Sequence, residues 1–133
     1  MNEGRLESCR LGQGARKVKR PLIPQMRRAL MRWGRDGLVS GLLCDGRRLD
    51  ALGCLMRDLH ERDAEGMRPV AGVCHPSKRQ ARTLMAIWGA SREMLEDLAV
   101  WNDDPAGEPP ASLDGLADLV AELLRRSGPR GRT

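Results

Sequence analysis

With 133 residues the chain has room for one domain with a modest core, not two. Hydrophobic residues make up 41%, enough to fold, but there is no Phe or Tyr, so three Trp, seven Met and many Leu must fill the interior, and Met specifies shape poorly. No apolar run approaches bilayer length and the charged start lacks the apolar stretch of a secretory signal, which argues against a membrane span and predicts a soluble, cytoplasmic protein.

The net charge of +5 conceals a division: residues 1–36 hold ten Arg or Lys against Glu3, Glu7 and Asp36, while residues 93–124 hold nine acids and no base. Two readings stand side by side. Either a basic arm serves nucleic acid and an acidic face serves something else, or the two halves neutralise one another. Arg far exceeds Lys, so bidentate contacts to phosphate or guanine are available wherever geometry allows. The four cysteines, Cys9, Cys44, Cys54 and Cys74, are expected to be reduced thiols in a chain without a secretory signal. Cys44, Cys54, His60, Cys74 and His75 raise the question of zinc. They form no Cys-x-x-Cys knuckle and no common finger spacing, so buried thiols and surface histidines are expected, with no metal and no cofactor.

Residues 1–20 are rich in Gly and charge and have no apolar period, which predicts a disordered basic arm. Arg16, Lys17, Lys19 and Arg20 form a compact cluster there that can sit on phosphate. Pro24 suits the first turn of a helix. Met26, Ala29, Leu30 and Trp33 make its apolar stripe, leaving Arg27, Arg28, Arg32 and Arg35 largely on the other faces, with Gly37 as the stop. Residues 38–44 read as a buried turn or partial helix. Asp45 is placed to cap a helix running from about Arg47 to Arg62, with Leu49, Leu52, Leu55, Met56 and Leu59 on its core face and Gly66 at its end. The connector over 67–76 is expected to tuck Val70, Val73 and Cys74 inward.

Residues 77–102 carry the most informative pattern. Ser77 and Gln80 have the capping-box spacing, and Leu84, Ile87 and Trp88 share a face with Met85 beside them. Gly89 can take the positive φ that ends a helix, and Ser91 is placed to cap a second helix whose Met94, Leu95, Leu98 and Trp101 share a face. Asn102-Asp103-Asp104-Pro105 ends it. Such a unit either enters DNA as a helix-turn-helix or simply packs two helices. For DNA, Lys78, Arg79 and Arg82 on the first helix would hold phosphates and Arg92 would reach a base edge or a phosphate. Glu93, Glu96 and Asp97 would face the polyanion and repel it.

Residues 103–111, rich in Asp, Pro and Gly, read as a linker. A last helix is expected over 112–126, with Leu113, Leu116, Ala117, Leu119, Val120, Leu123 and Leu124 on a broad stripe and a short tail over 127–133. It closes the bundle or pairs with a partner or a second copy, giving a homodimer. The expected fold is thus all-α: a small bundle of four to five helices over 21–102 and 112–126, containing a helix-turn-helix-like unit and preceded by the basic arm.

Several stretches resemble the short antitermination protein Q family of lambdoid phages. They are Arg32-Trp33-Gly34 on the first helix, Cys44-Asp45 leading to Gly53-Cys54 and Arg57, and the helix-turn-helix pattern from Leu84 to Leu95 with Ser91 opening its second helix. The match is scattered over residues 32–98. Where that family carries a Tyr-x-x-Gly element, this chain has Val70-Ala71-Gly72-Val73, and its connector is longer. The resemblance implies a factor that binds a DNA element near a late promoter, loads onto RNA polymerase and lets it pass terminators.

The sequence therefore predicts a small, basic, DNA-binding transcription regulator. Its partner would be double-stranded DNA, joined by RNA polymerase if the resemblance holds, with contacts from Lys78, Arg79, Arg82 and Arg92 and support from Arg16, Lys17, Lys19, Arg20, Arg27 and Arg28. The alternative is a non-catalytic helical adaptor that binds only protein through its last helix and acidic surface. Catalysis is not expected: His60 and His75 sit in unremarkable places, Cys74-His75 are neighbours only in sequence, and there is no Gly-rich phosphate loop.

Overall fold

A computed structural model describes residues 20–113 and 115–127, and these form an all-helical bundle. In chain order it has α1 (Ile23–Gly34), α2 (Ala51–Glu61), α3 (Lys78–Trp88), α4 (Arg92–Asp103), a short 3-10 turn (Ala111–Leu113) and α5 (Ala117–Ser127). No strand is present among the described residues, which show one isolated antiparallel bridge between Cys44 and Leu49. None of the helices is long and apolar enough to cross a membrane. Of the expected arm, Arg16, Lys17 and Lys19 lie outside the described residues, and Arg20 is exposed.

α1 packs along α2, and α4 sits at the centre, against α2, α3, α5 and the 3-10 turn. Two helical glycines allow close packing, Gly34 of α1 against Leu38 and against Cys54 of α2, and Gly53 of α2 against the segment that precedes it. A Cβ on Gly34 would lie 2.6 Å from Leu38 Cδ2, and one on Gly53 would run into the carbonyl oxygen of Leu43. The core they admit is the Met- and Trp-rich one that the composition requires: Met26, Met56, Met67, Met94, Trp88 and Trp101 are all buried among leucines. Trp88 is fully enclosed, although its Nε1–H finds no acceptor among the described residues, a cost offset by burying so large a ring.

Several boundaries differ from the sequence pattern. α2 starts at Ala51, and Asp50 is its cap, accepting from Gly53 N at 2.6 Å. Asp45 instead holds a tight turn through the N–H groups of Arg47 (2.8 Å) and Arg48 (2.7 Å). Leu49 is tied to the preceding irregular segment, its carbonyl accepting from Val39 N at 3.1 Å. Residues 38–44 form no helix, though Leu38 and Leu43 are buried. At the other end α2 stops where expected, with Arg62 as its C-cap, but Asp63 rather than Gly66 takes the left-handed turn (φ 67°).

The connector turns Met67 and Pro69 inward and leaves Val70, Val73 and Cys74 exposed. Its backbone is what docks, with Leu43 N donating to Val73 O (2.8 Å) and Gly72 N to Cys44 O (2.9 Å). The last helix is broken near Gly115 (φ 80°), so residues 111–113 form a separate turn and α5 begins at Ala117. Leu116, Leu119, Val120 and Leu123 are buried against the chain's own core, closing the bundle. A homodimer through α5 would have to use its polar side.

Candidate nucleic-acid interface

The α3–turn–α4 unit is built as its sequence predicts. Ser77 Oγ accepts from Gln80 N (3.1 Å), and Ser77 N donates to Gln80 Oε1 (2.8 Å), completing the capping box. Gln80 Nε2 also donates to Gly66 O (2.9 Å), tying the start of α3 to the end of the α2 loop. Gly89 takes the left-handed conformation (φ 72°), and a Cβ there would approach Arg20 O to 2.5 Å. The turn is therefore locked from outside, and Leu22 N reinforces it by donating to Trp88 O (2.9 Å). Ser91 Oγ accepts from Met94 N (3.0 Å) and opens α4. Met94, Leu95, Leu98 and Trp101 are buried as expected. Ile87, expected on the apolar face of α3, is exposed, while Leu84 and Trp88 are buried and Met85 packs partly against the core.

Lys78, Arg79 and Arg82 are exposed together on the first turns of α3, and none is paired with a carboxylate among the described residues. Arg92 is also exposed, but it opens α4, separated from Lys78 by the Gly89 turn and by the length of α3, about 16 Å. The unit thus brings three of its four expected phosphate ligands together and leaves the fourth apart. Beside Arg92 the outward line of α4 is Glu93, Glu96, Val100 and Asp103, all exposed. Asp97 is partly turned inward and accepts from Ser112 Oγ at 2.6 Å.

The supporting arginines of α1 divide in the same way. Arg27 Nη1 donates to the carbonyl of Gly115 and lies 3.4 Å from Asp118 Oδ1, so it is largely occupied in holding α1 to the approach of α5. Arg28 is exposed and lines a cleft of about 840 Å³ between α1 and α2. Arg32 and Arg62 line this cleft as well and Arg57 stands nearby, none of them among the expected phosphate ligands. Two guanidiniums lie over the Trp33 ring, with Arg32 Cζ 5.1 Å and Arg57 Cζ 4.7 Å from its centroid. Its Nε1 donates to Asp58 Oδ1 (3.2 Å), and Asp58 Oδ2 accepts from Arg62 Nη2 (2.7 Å). Arg62 in turn lies over Trp88 at 5.2 Å. A sequence signal for this site exists: α1 contains no acid and places Arg28 and Arg32 one turn apart.

The electrostatically perturbed groups lie elsewhere. Burial pushes the Asp50 carboxyl up to about 7, against the pull of the Gly53 N–H and with a further push from Asp103. Burial, and then Asp50, raise the Cys54 thiol. Backbone N–H groups of Arg48 and Arg47 hold Asp45 below the usual carboxylate range. Cys44 is half-buried, Cys54 buried and Cys74 exposed. Among the described residues no three His, Cys, Asp or Glu side chains are grouped to hold a metal ion. The chain matches no family model, no curated protein and no solved structure.

Proposed function

We propose that this protein is a small DNA-binding regulator of transcription that grips the phosphate backbone through the start of α3 and offers the outward face of α4 to a protein partner. One observation carries the reading: Lys78, Arg79 and Arg82 crowd the N-terminal turns of α3, where there is no acid. Cations at that end oppose the helix dipole and one another, so the arrangement is unfavourable in the free protein. It becomes favourable when an anion sits there, since free backbone N–H groups and the dipole then act in the same sense as the side chains. The contact is to phosphate, and it supplies affinity rather than sequence choice.

The acidic line of α4 would be repelled by the same DNA, so α4 is not the reading helix of this unit. Glu93, Glu96 and Asp103 surround Val100, which is 69% exposed, and such a surface suits a basic protein partner. RNA polymerase is the partner that the resemblance to the antitermination family suggests. The same face favours the second reading, a protein-only adaptor that never touches DNA.

Fluorescence anisotropy on mixed-sequence duplex DNA, titrated with salt, separates the two. The DNA reading expects binding that weakens log–log linearly with a slope of about −3 or steeper, close to −0.9 per phosphate engaged. Arg79→Glu with Arg82→Glu should abolish it with helicity unchanged. Failure of the protein to bind at low salt, or equal binding by the double variant, would sink the reading and leave the adaptor.

A further inference from the structure

The cleft between α1 and α2 has the features of a site awaiting an anion. Its two acids are already engaged: Asp58 holds Arg62 and the Trp33 indole, and Glu61 Oε2 accepts from Arg57 Nε at 2.9 Å. Arg28 and Arg32 face no described carboxylate at ion-pairing distance, so the cleft keeps an excess of positive charge. They stand one helical turn apart, a like-charge pair that weakens α1 unless an anion bridges it. Three of the surrounding guanidiniums are held in place. Arg32 and Arg57 lie against Trp33, and Arg62 is fixed between the largely buried Asp58 carboxylate and the Trp88 ring. Such pinning removes much of the rotamer entropy that binding would otherwise cost.

Beside Arg28 and Arg32, Pro24, Ala29 and Met31 give the α1 side of the cleft an apolar strip, with Met31 exposed on it. The unpaired positive charge of Arg28 and Arg32, next to Met31 in a cleft of about 840 Å³, suits a flat apolar body carrying a phosphate. We propose that this cleft binds a nucleotide unit, its phosphate bridging Arg28 and Arg32 opposite Arg62 and its base lying along Met31. The unit is either a free mononucleotide or a residue of a nucleic-acid strand, and the chemistry is common to both. The site is independent of the α3 surface proposed above.

Isothermal titration of the intact protein with adenosine monophosphate, with inorganic phosphate and with a short single-stranded oligonucleotide tests this. The expected result is saturable binding of the nucleotide, tighter than that of phosphate alone. Arg28→Ala with Arg32→Ala should weaken it by about tenfold or more. Tighter binding of the oligonucleotide than of the mononucleotide would assign the site to a strand, and the reverse order to a free effector. Both arginines are exposed, so the variant should keep the parent's helical content, the lost contact of Arg32 with Trp33 being offset by relief of the like-charge pair. Arg79→Glu with Arg82→Glu should leave nucleotide binding intact even where duplex binding is lost, which keeps the two proposals apart. Absence of nucleotide binding, or binding untouched by the Arg28/Arg32 substitutions, overturns the inference.

Discussion

α3 and α4 solve the same structural problem with nearly the same parts and then present opposite chemistry. Each begins at a serine that accepts from the third N–H of its helix, and each buries a leucine, Leu84 or Leu98, at the same distance from that cap. Matched from the caps, Arg79 corresponds to Glu93 and Arg82 to Glu96. α4 thus places an acid where the dipole favours one, and α3 does not. The ends differ too. α4 finishes in anchors: Trp101 Nε1 donates to Ala117 O (2.9 Å), Asn102 reaches two segments, and Asp103 Oδ1 accepts from Gly41 N (2.8 Å). α3 finishes at the Gly89 turn. The contrast identifies α4 as the fixed helix of the bundle and α3 as the one whose surface charge is not explained by stability.

The sharpest way to break that contrast is at Asn102, which is 1% exposed. Its Oδ1 accepts from Ala51 N (2.9 Å) and its Nδ2 donates to Val39 O (2.7 Å), so one side chain joins α4 to the start of α2 and to the loop before it. Asn102→Ala strips both partners in a buried place and should cost about 3 kcal/mol, read by urea denaturation. An exposed α3 substitution such as Ala86→Ser should cost far less. A loss at Asn102 no larger than that would mean α4 is not the anchor.

Next in size is a pH effect at the same junction. Asp50 caps α2 from a buried position near Asp103, and its carboxyl is raised from 3.8 to about 7. A carboxyl raised in the folded state favours the protonated form. Its contribution is therefore fully present below the unfolded value of 3.8 and is lost as pH rises through about 7. Between about pH 5 and pH 8 the loss should be about 2 kcal/mol. Asp50→Asn keeps a capping oxygen and removes the titration, so its stability curve should be flatter over that range. An unchanged slope in the variant would show that Asp50 is not the group responsible.

These junctions also explain what could be read from the chain and what could not. The α3–α4 unit was legible because its determinants are local: Ser77 with Gln80, Gly89 and Ser91 act within a few residues of their targets. The start of α2 was not, since Asp50 prevails over Asp45 with help from Asn102, far along the chain. The end of α2 near Arg62 was legible in the helical pattern, but its turn was not, because Asp63, a non-glycine residue, takes the left-handed conformation ahead of Gly66. Val70 and Val73 look like core residues, yet it is their segment's backbone that docks, and Met67 fills the space. The α1–α2 cleft depends on Trp33, Asp58 and Arg62 meeting across two helices, which no periodicity reveals.

The smallest effect discriminates best between stability and function. Arg79 and Glu93 occupy the second position of their helices, one opposing the dipole and the other favouring it. Reversing each should change stability in opposite directions: Arg79→Glu gains about 0.5 kcal/mol and Glu93→Arg loses about the same. Both shifts should shrink as salt is raised, since both sites are exposed. DNA affinity should move against stability, falling in Arg79→Glu and rising in Glu93→Arg as repulsion near Arg92 is relieved. A substitution that stabilises the fold and weakens binding locates a residue retained for its contact with a partner. If Arg79→Glu instead destabilised the protein and left DNA binding unchanged, Arg79 would be an ordinary surface residue of the bundle, and the cationic start of α3 would need no ligand to account for it.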